Sequence, residues 1–550
     1  MNVPVLRRNL SEMTKRRHDL VIIGGGITGA AIAWDASLRG LRVALVEKRD
    51  FASETSAASS KLIHGGLRYL RNLEFGLVRE SLRERRIWTG IAPHMVEPVQ
   101  FVLPVQTARQ KLTLRAGLML YDALSFDRNR LSDPDKMLPR HGALSPQETL
   151  AAEPVLHGAA RAGALTYYDC MMHAPERLAF EFIQGAVENG ALVANYARAL
   201  SLTGTADQVD GIRIRDLMDG REYDISARLV INAAGPWADH IADDEAHGAV
   251  KLQRSKGIHL ITRRISRKAL TLFLEDGHFF VLPWRGHSLL ATTDTPYLDD
   301  PDAVRVNEAD ITELLSKVNR GLPEARLNRA DIRHCYAGLR PLVADPAGAD
   351  IGESTYGVSR GSEIFDHQKA ENRAGLISAL GGKWTTSRHL AEQVTDLALR
   401  KLGRPKLPCR TEHTPLPGGH MKGFADFVQE AQAAYPAHDP ALIRHLALNY
   451  GARLHRLMEV AAAAPALATP LAPGLPEIGA QIHYAAKSEL ALTLEDAVFR
   501  RSGLCALGHP GQEALARAAQ IMGGVLGWDA PETARQIEAA GQRCGTSVKA

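Results

Sequence analysis

The 550-residue sequence predicts an α/β fold followed by a helical domain, and three observations carry that reading. A glycine turn between an apolar strand and a helix stands near the N-terminal end, the opening unit of a Rossmann-like fold. Residues 18–403 then alternate strand-like apolar runs, glycine turns and helical periodicities. Residues 420–550 are rich in Ala and Leu with apolar spacing near 3.6, as in Leu442-Ile443-Leu446 and Leu490-Leu494-Ala497-Val498. Between these zones, residues 404–419 gather Pro405, Pro408, Pro415, Pro417, Gly418 and Gly419 and read as a linker. Length points the same way, since single cores stop growing near ~250–300 residues.

Each element of the first unit has a physical reason. Leu20–Ile23 is an apolar strand running into Gly24-x-Gly26-x-x-Gly29, with a helix predicted to about Arg39. Gly24 permits a tight turn, Gly26 lets a pyrophosphate approach the backbone, and Gly29 lets the helix pack on the strand. The helix N-terminus then offers unpaired N–H groups to phosphate. A second strand, Leu41–Val46, ends at Glu47, an acid placed to accept from ribose hydroxyls. Strand, turn, helix, strand and acid in register point to a dinucleotide.

NAD and FAD share that fingerprint, and later segments favour FAD. The motif lies at the N-terminal end, so the nucleotide fold is assembled from distant pieces. Leu229–Trp237 is a strand ending in the small residues Ala233, Ala234 and Gly235, suited to close passage beside a cofactor. Gly375–Thr386 is again strand, glycine turn (Gly381-Gly382) and helix start. That N-terminus suits the negative charge of a reduced flavin.

Composition excludes other classes. With 45% apolar and 23% charged residues the chain is neither disordered nor a coiled coil. A net charge of +4 gives no reason to expect nucleic acid as a partner. Cys170, Cys335, Cys409, Cys505 and Cys544 form no C-x-x-C pair, which argues against a disulfide scaffold or thiolate zinc site. The uncharged run Leu20–Trp34 is too short to span a bilayer, so no transmembrane helix is expected. The first 17 residues carry Arg7, Arg8, Lys15, Arg16 and Arg17 without an apolar stretch, and read as a solvated basic tail or a transit peptide rather than a secretory signal.

Ser59-Ser60-Lys61-Leu62-Ile63-His64-Gly65-Gly66-Leu67-Arg68-Tyr69-Leu70 resembles the signature of the FAD-dependent, respiratory, quinone-reducing glycerol-3-phosphate dehydrogenases. The resemblance continues in Asn232–Asp239, Ser255–His259, Tyr336–Pro341, Gly381–Thr386 and, in the helical zone, Glu489–Arg501. Ala31 and Ser387 depart from the family pattern, which often has glycine and an aromatic there. No D-x-D-x-D-G loop is present, so no metal is expected and the calcium-binding extension of the mitochondrial form is missing.

The resemblance implies an FAD-binding Rossmann-like domain of the glutathione-reductase/amino-acid-oxidase kind over 18–403. A substrate cap is inserted at roughly 91–160 and 250–335, and a C-terminal helical domain spans 420–550. It implies oxidation of sn-glycerol 3-phosphate to dihydroxyacetone phosphate, with electrons passed to membrane quinone; the expected location is peripheral, on the cytoplasmic face of a bacterial inner membrane, or the cytoplasm, and a homodimer is left open. An oxidase returning electrons to oxygen, an amine-oxidising flavoenzyme and a non-catalytic flavin-binding assembly protein are the rivals.

For the chemistry, His64 is the first candidate base, His259 its competitor, and Arg340 a cation for phosphate or the carbinol oxygen. Arg68, Tyr69, Lys256, Arg360 and Lys383 are the matching substrate-binding positions. The cofactor positions are Gly24, Gly25, Gly26, Thr28, Gly29, Glu47, Thr55, Ser56, Ser60, Lys61, Ala197, Ala233, Gly235, Gly382 and Thr385. Within 108–124, Leu114, Leu118, Tyr121 and Leu124 share one helical face with Lys111 and Arg115 beside it. That face suits either the core or an anionic bilayer.

Overall fold

The computed structural model describes residues 6–242, 250–343 and 361–545. His18–Ile23 is buried on both faces, as a parallel strand between helix layers must be. It pairs in parallel with Val43–Val46 on one side and Glu222–Asn232 on the other. Leu192–Ala194 and Leu376–Gly381 extend this sheet in the same direction, and Ser362–Asp366 closes one edge antiparallel. The N-terminal strand is therefore central, with the nearby Val43–Val46 on one side and the distant Glu222–Asn232 on the other.

Helix Ile27–Leu38 follows the glycine turn and is almost wholly buried. Its small side chains Ala30, Ala31, Ala33 and Ala36 let Pro175–Glu188 and Ser387–Lys401 pack closely against it. Gly185 makes room for Trp34, since a Cβ there would lie 2.7 Å from the indole nitrogen.

The cap is a second, mixed sheet. Its long strands Val96–Pro104 and Ala164–Met172 pair antiparallel, as do Leu252–Thr262 and Ile332–Val343. The sheet runs past the boundaries expected from sequence: it includes Leu62–Ile63 and Ala164–Met172 and ends at Val343. Helix Glu308–Gly321 covers one face through Ile311, Leu314, Leu315 and Val318.

Residues 404–419 contain no regular element, yet they are docked rather than free. Leu416 is fully buried, its N–H donates to the Ile91 carbonyl at 2.9 Å, and the Gly418 N–H donates to Glu181 at 3.1 Å. The helical domain follows, from Phe424–Ala434 to Ala530–Gly545. At the other end the basic tail is anchored. Leu10 and Met13 are buried, and Arg8 donates to Asp216 and to the Asn195 carbonyl.

Candidate active site

The glycine turn admits nothing larger at two positions. At Gly24, with φ +106°, a Cβ would lie 2.5 Å from the Ala233 carbonyl oxygen; at Gly29 it would lie 1.9 Å from the Gly24 carbonyl oxygen. Gly26 caps helix Ile27–Leu38 without a side chain, and Ser56 Oγ accepts from the Ile27 N–H at 2.9 Å. The Glu47 carboxylate accepts from the N–H groups of Gly25 (2.7 Å) and Arg49 (2.9 Å). Burial pushes its pKa up, and those two hydrogen bonds act against the rise.

Gly24, Gly26, Ile27, Glu47 and Ser56 border a groove of about 410 Å³, shared with Thr28, Thr55, Ala197, Ala233 and Gly235. The groove fits a dinucleotide cofactor. Its lining includes the bare backbone of Gly24 and Gly26 and the small side chains of Ala197 and Ala233, it meets a helix N-terminus whose cap Gly26 has no side chain, and it carries the Glu47 carboxylate.

Past Gly382 and Trp384 the groove opens into a second cavity of about 330 Å³; Thr55, Pro341, Gly382, Lys383 and Trp384 border both. The segment between them is stitched in place. Thr55 Oγ1 donates to the Leu339 carbonyl (2.8 Å), Trp384 Nε1 to the Ser56 carbonyl (3.0 Å), and Tyr336 Oη to the Ser59 carbonyl (2.9 Å).

The second cavity gathers His64, Arg68, Tyr69, His259, Arg340 and Lys383. Antiparallel register explains two of them. Opposite Gly338 stands Gly257, opposite Tyr336 stands His259, and opposite Arg340 stands Ser255. Arg340 donates to Thr292 Oγ1 (2.8 Å), the Thr293 carbonyl (3.0 Å) and Ser255 Oγ (3.2 Å), with Asp294 at 3.9 Å. The His259 ring stacks on Tyr336 at 4.8 Å, and its Nε2 is hydrogen-bonded to Ser60 Oγ at 3.0 Å. Burial first, then Arg340 and Lys61, hold its pKa well below the usual imidazole value.

His64 reaches the same cavity from a loop held at its backbone. Its N–H donates to Thr385 Oγ1 (3.1 Å), and the Gly65 N–H donates to Asp169 Oδ1 (3.1 Å). Asp169 is itself held by Arg85 and by the Tyr121 hydroxyl at 2.8 Å. The imidazole is half-buried, and burial, then Lys383 and Arg68, keep its pKa well below the usual value. That depression favours the neutral imidazole, the form a base needs. Arg68 and Lys383 lie 4.7 and 4.5 Å from the Tyr69 ring centre, and Lys383 also donates to Ser81 Oγ.

Several expected positions fall elsewhere. Lys256 is one residue from Gly257, so strand alternation turns it away from the cavity, and its ammonium pairs with Asp310 at 2.8 Å. The Lys61 ammonium lies over the rings of Trp284 (4.6 Å) and Tyr336 (5.2 Å), outside both cavities. Thr385 is buried behind the His64 loop, which it anchors. Gly25 and Gly29 shape the turn from behind rather than line the groove. Arg360 lies outside the described residues.

Leu118 and Tyr121 face inward, with Leu114 and Leu124 packed on the same core, so the expected bilayer face is a core face. Residues absent from the sequence reading also line the cavity, namely Asp169, His278, Asp294 and Lys317. Burial, then Arg68, Lys317 and Arg340, push the His278 pKa down to about 3. For His278 the alternation with Phe280 on strand Gly277–Trp284 is a local signal; Asp169, Asp294 and Lys317 lie on other segments that the strand does not include.

Comparison with known proteins agrees with this architecture. Residues 19–396 match the family model described as FAD dependent oxidoreductase, and residues 409–533 match the C-terminal domain of alpha-glycerophosphate oxidase. A Synechocystis sp. protein named glycerol-3-phosphate dehydrogenase is 35% identical, covering 96% of this chain and 97% of its own length. Glycerol-3-phosphate dehydrogenase 2 of Mycobacterium tuberculosis is 36% identical over 94% of this chain and 86% of its own. The crystal structure of the Bacillus halodurans glycerol-3-phosphate dehydrogenase complexed with FAD superposes with a TM-score of 0.78. It is 29% identical and covers 98% of this chain and 97% of its own. The cofactor that the groove fits is FAD, and the chain belongs to the FAD-dependent glycerol-3-phosphate dehydrogenase family.

Proposed function

We propose that this chain oxidises sn-glycerol 3-phosphate to dihydroxyacetone phosphate and delivers the electrons to a membrane quinone. The observation that carries the reading is convergence: Arg68, Lys383, Arg340 and a neutral His64 border one cavity that joins the cofactor groove. FAD, when bound, supplies the hydride acceptor. Arg68, Tyr69 and Lys383 bind the phosphate dianion, which two cations held over one ring beside its hydroxyl suit well. Arg340 polarises the carbinol oxygen from the opposite strand, and His64 takes the hydroxyl proton. His259, tied to Ser60, keeps the preceding loop in place.

The quinone half of the reading rests on a surface. Among the described residues, no helix is long and apolar enough to cross a membrane. Helix Ala108–Leu124 nevertheless presents Leu112 (72% exposed), Met119 (59%) and Leu120 on its outer face, with Arg109 and Arg115 exposed beside them. Leu73, Phe75 and Phe126, on the adjoining segments, are exposed as well. An apolar surface with basic flanks suits the interface of an anionic bilayer, where quinone is dissolved.

Anaerobic addition of glycerol 3-phosphate should bleach the flavin absorbance, followed by rapid reoxidation with a quinone analogue and slow reoxidation with oxygen. No bleaching would leave a flavin-binding protein without this activity. Faster reoxidation by oxygen would make it an oxidase.

A further inference from the structure

The conspicuous segment Glu489–Arg501 is not used up by the helical domain that contains it. Its last two arginines end on the nucleotide-binding loop. A π-helical turn, Asp496–Arg501, brings them there, a wider turn of the kind often found where function demands it. Asp50, three residues beyond Glu47, is fully buried between them. Its Oδ2 accepts from Arg500 Nε (2.6 Å) and Arg501 Nη1 (2.9 Å), and its Oδ1 from Arg501 Nη2 (2.8 Å). Asn195 adds a fourth donor at 3.2 Å, and Arg500 Nη2 also donates to Asp496 at 2.6 Å.

From Asp50 the loop leads straight to the groove. Next in the chain, Phe51 lies against Gly25, where a Cβ would meet its ring at 2.7 Å. The Ala52 N–H donates to the Gly25 carbonyl at 3.0 Å, and the Ala197 N–H to the Glu47 carbonyl at 2.8 Å. Ala52, Ala197 and Glu47 line the cofactor groove, and Gly25 backs its turn.

We propose that Arg500 and Arg501 are positioning residues for FAD: from the C-terminal domain they lock the Asp50 loop and thereby set Glu47 and the Gly25 turn against the cofactor. The reason is one of cost. A buried carboxylate holds its place only while its cations do, and a loop that loses this anchor loses the geometry of everything hydrogen-bonded to it. The inference rests on the FAD assignment and not on the substrate. A second buried pair across the same boundary serves as control: Arg177 and Glu489 meet through two 2.7 Å hydrogen bonds, and although the Glu489 carbonyl accepts from Arg501 Nε at 3.1 Å, the donors to Asp50 are Asn195, Arg500 and Arg501.

The test compares Arg501→Lys, Asp50→Asn and Arg177→Lys. FAD affinity is read from fluorescence quenching on titrating FAD into deflavinated protein, with far-UV circular dichroism to check folding. Arg501→Lys and Asp50→Asn should bind FAD about 10–100-fold more weakly, the loss expected for a charge-assisted hydrogen bond, while Arg177→Lys binds normally. Excess FAD should restore turnover in both loop variants. Wild-type FAD affinity in whichever loop variant folds would overturn the proposal. Equal weakening in Arg177→Lys would overturn it too, by showing general loosening between domains.

Discussion

The backbone of Gly257 lies directly against the guanidinium of Arg340: a Cβ at residue 257 would stand 2.2 Å from Nη2. Register produces this contact, because Gly257 pairs with Gly338 and Arg340 is two residues further on the same face. Gly257→Ala should therefore push the guanidinium off Thr292 and Thr293 while keeping its charge. We expect kcat/KM for glycerol 3-phosphate to fall about 10–100-fold with FAD content near wild type. Steady-state kinetics beside flavin absorbance check this. Unchanged kinetics in a folded variant would remove Arg340 from the reaction.

The two histidines can be told apart by pH. Burial depresses both; of the neighbouring charges, Lys383 and then Arg68 act on His64, whereas Arg340 and then Lys61 act on His259. A base must be neutral to work, so the acid limb of kcat/KM follows its pKa. Removing a neighbouring positive charge makes protonation easier, raises that pKa and moves the limb to higher pH. If His64 is the base, Lys383→Met shifts the limb upward and Lys61→Met leaves it in place. The substrate's phosphate ionises identically in every assay, so the difference between variants reports the protein. The reverse pattern would assign the proton to His259.

Lys256 should matter for stability and not for turnover. Lys256→Met leaves the buried Asp310 without its cation, a change that typically costs about 3–5 kcal/mol. Denaturant unfolding should register the loss, with kcat/KM near wild type. A large drop in kcat/KM at unchanged stability would return Lys256 to the substrate.

Replacing Leu112 and Met119 with Glu should release the protein from anionic vesicles and lower quinone reductase activity. Turnover with a soluble dye should survive, because these side chains point away from the core. Co-sedimentation at low and high salt, beside both assays, is the measurement. Retention on vesicles would clear this face of membrane contact. The inward pair Leu118 and Tyr121 offers the contrast, since charging Leu118 should unfold the cap instead.

The cofactor groove was readable because its parts are local. Gly24, Gly26, Gly29 and Glu47 lie within one strand–helix–strand unit, where spacing along the chain fixes spacing in space. The family motifs likewise named His64, Arg68, Arg340 and Lys383, all of which border the second cavity.

What the order of residues left undetermined depends on long-range pairing. Lys256 and Gly257 are equal candidates until Leu252–Thr262 pairs with Ile332–Val343 and a period of two assigns each residue a face. Helix Ala108–Leu124 carries apolar residues on two sides, and only packing shows that Tyr121 reaches Asp169 while Leu112 meets solvent. Asp50 and Arg501 stand 451 positions apart, and no periodicity links them. Folding brings them into contact because a buried carboxylate must find a cation, wherever in the chain that cation lies.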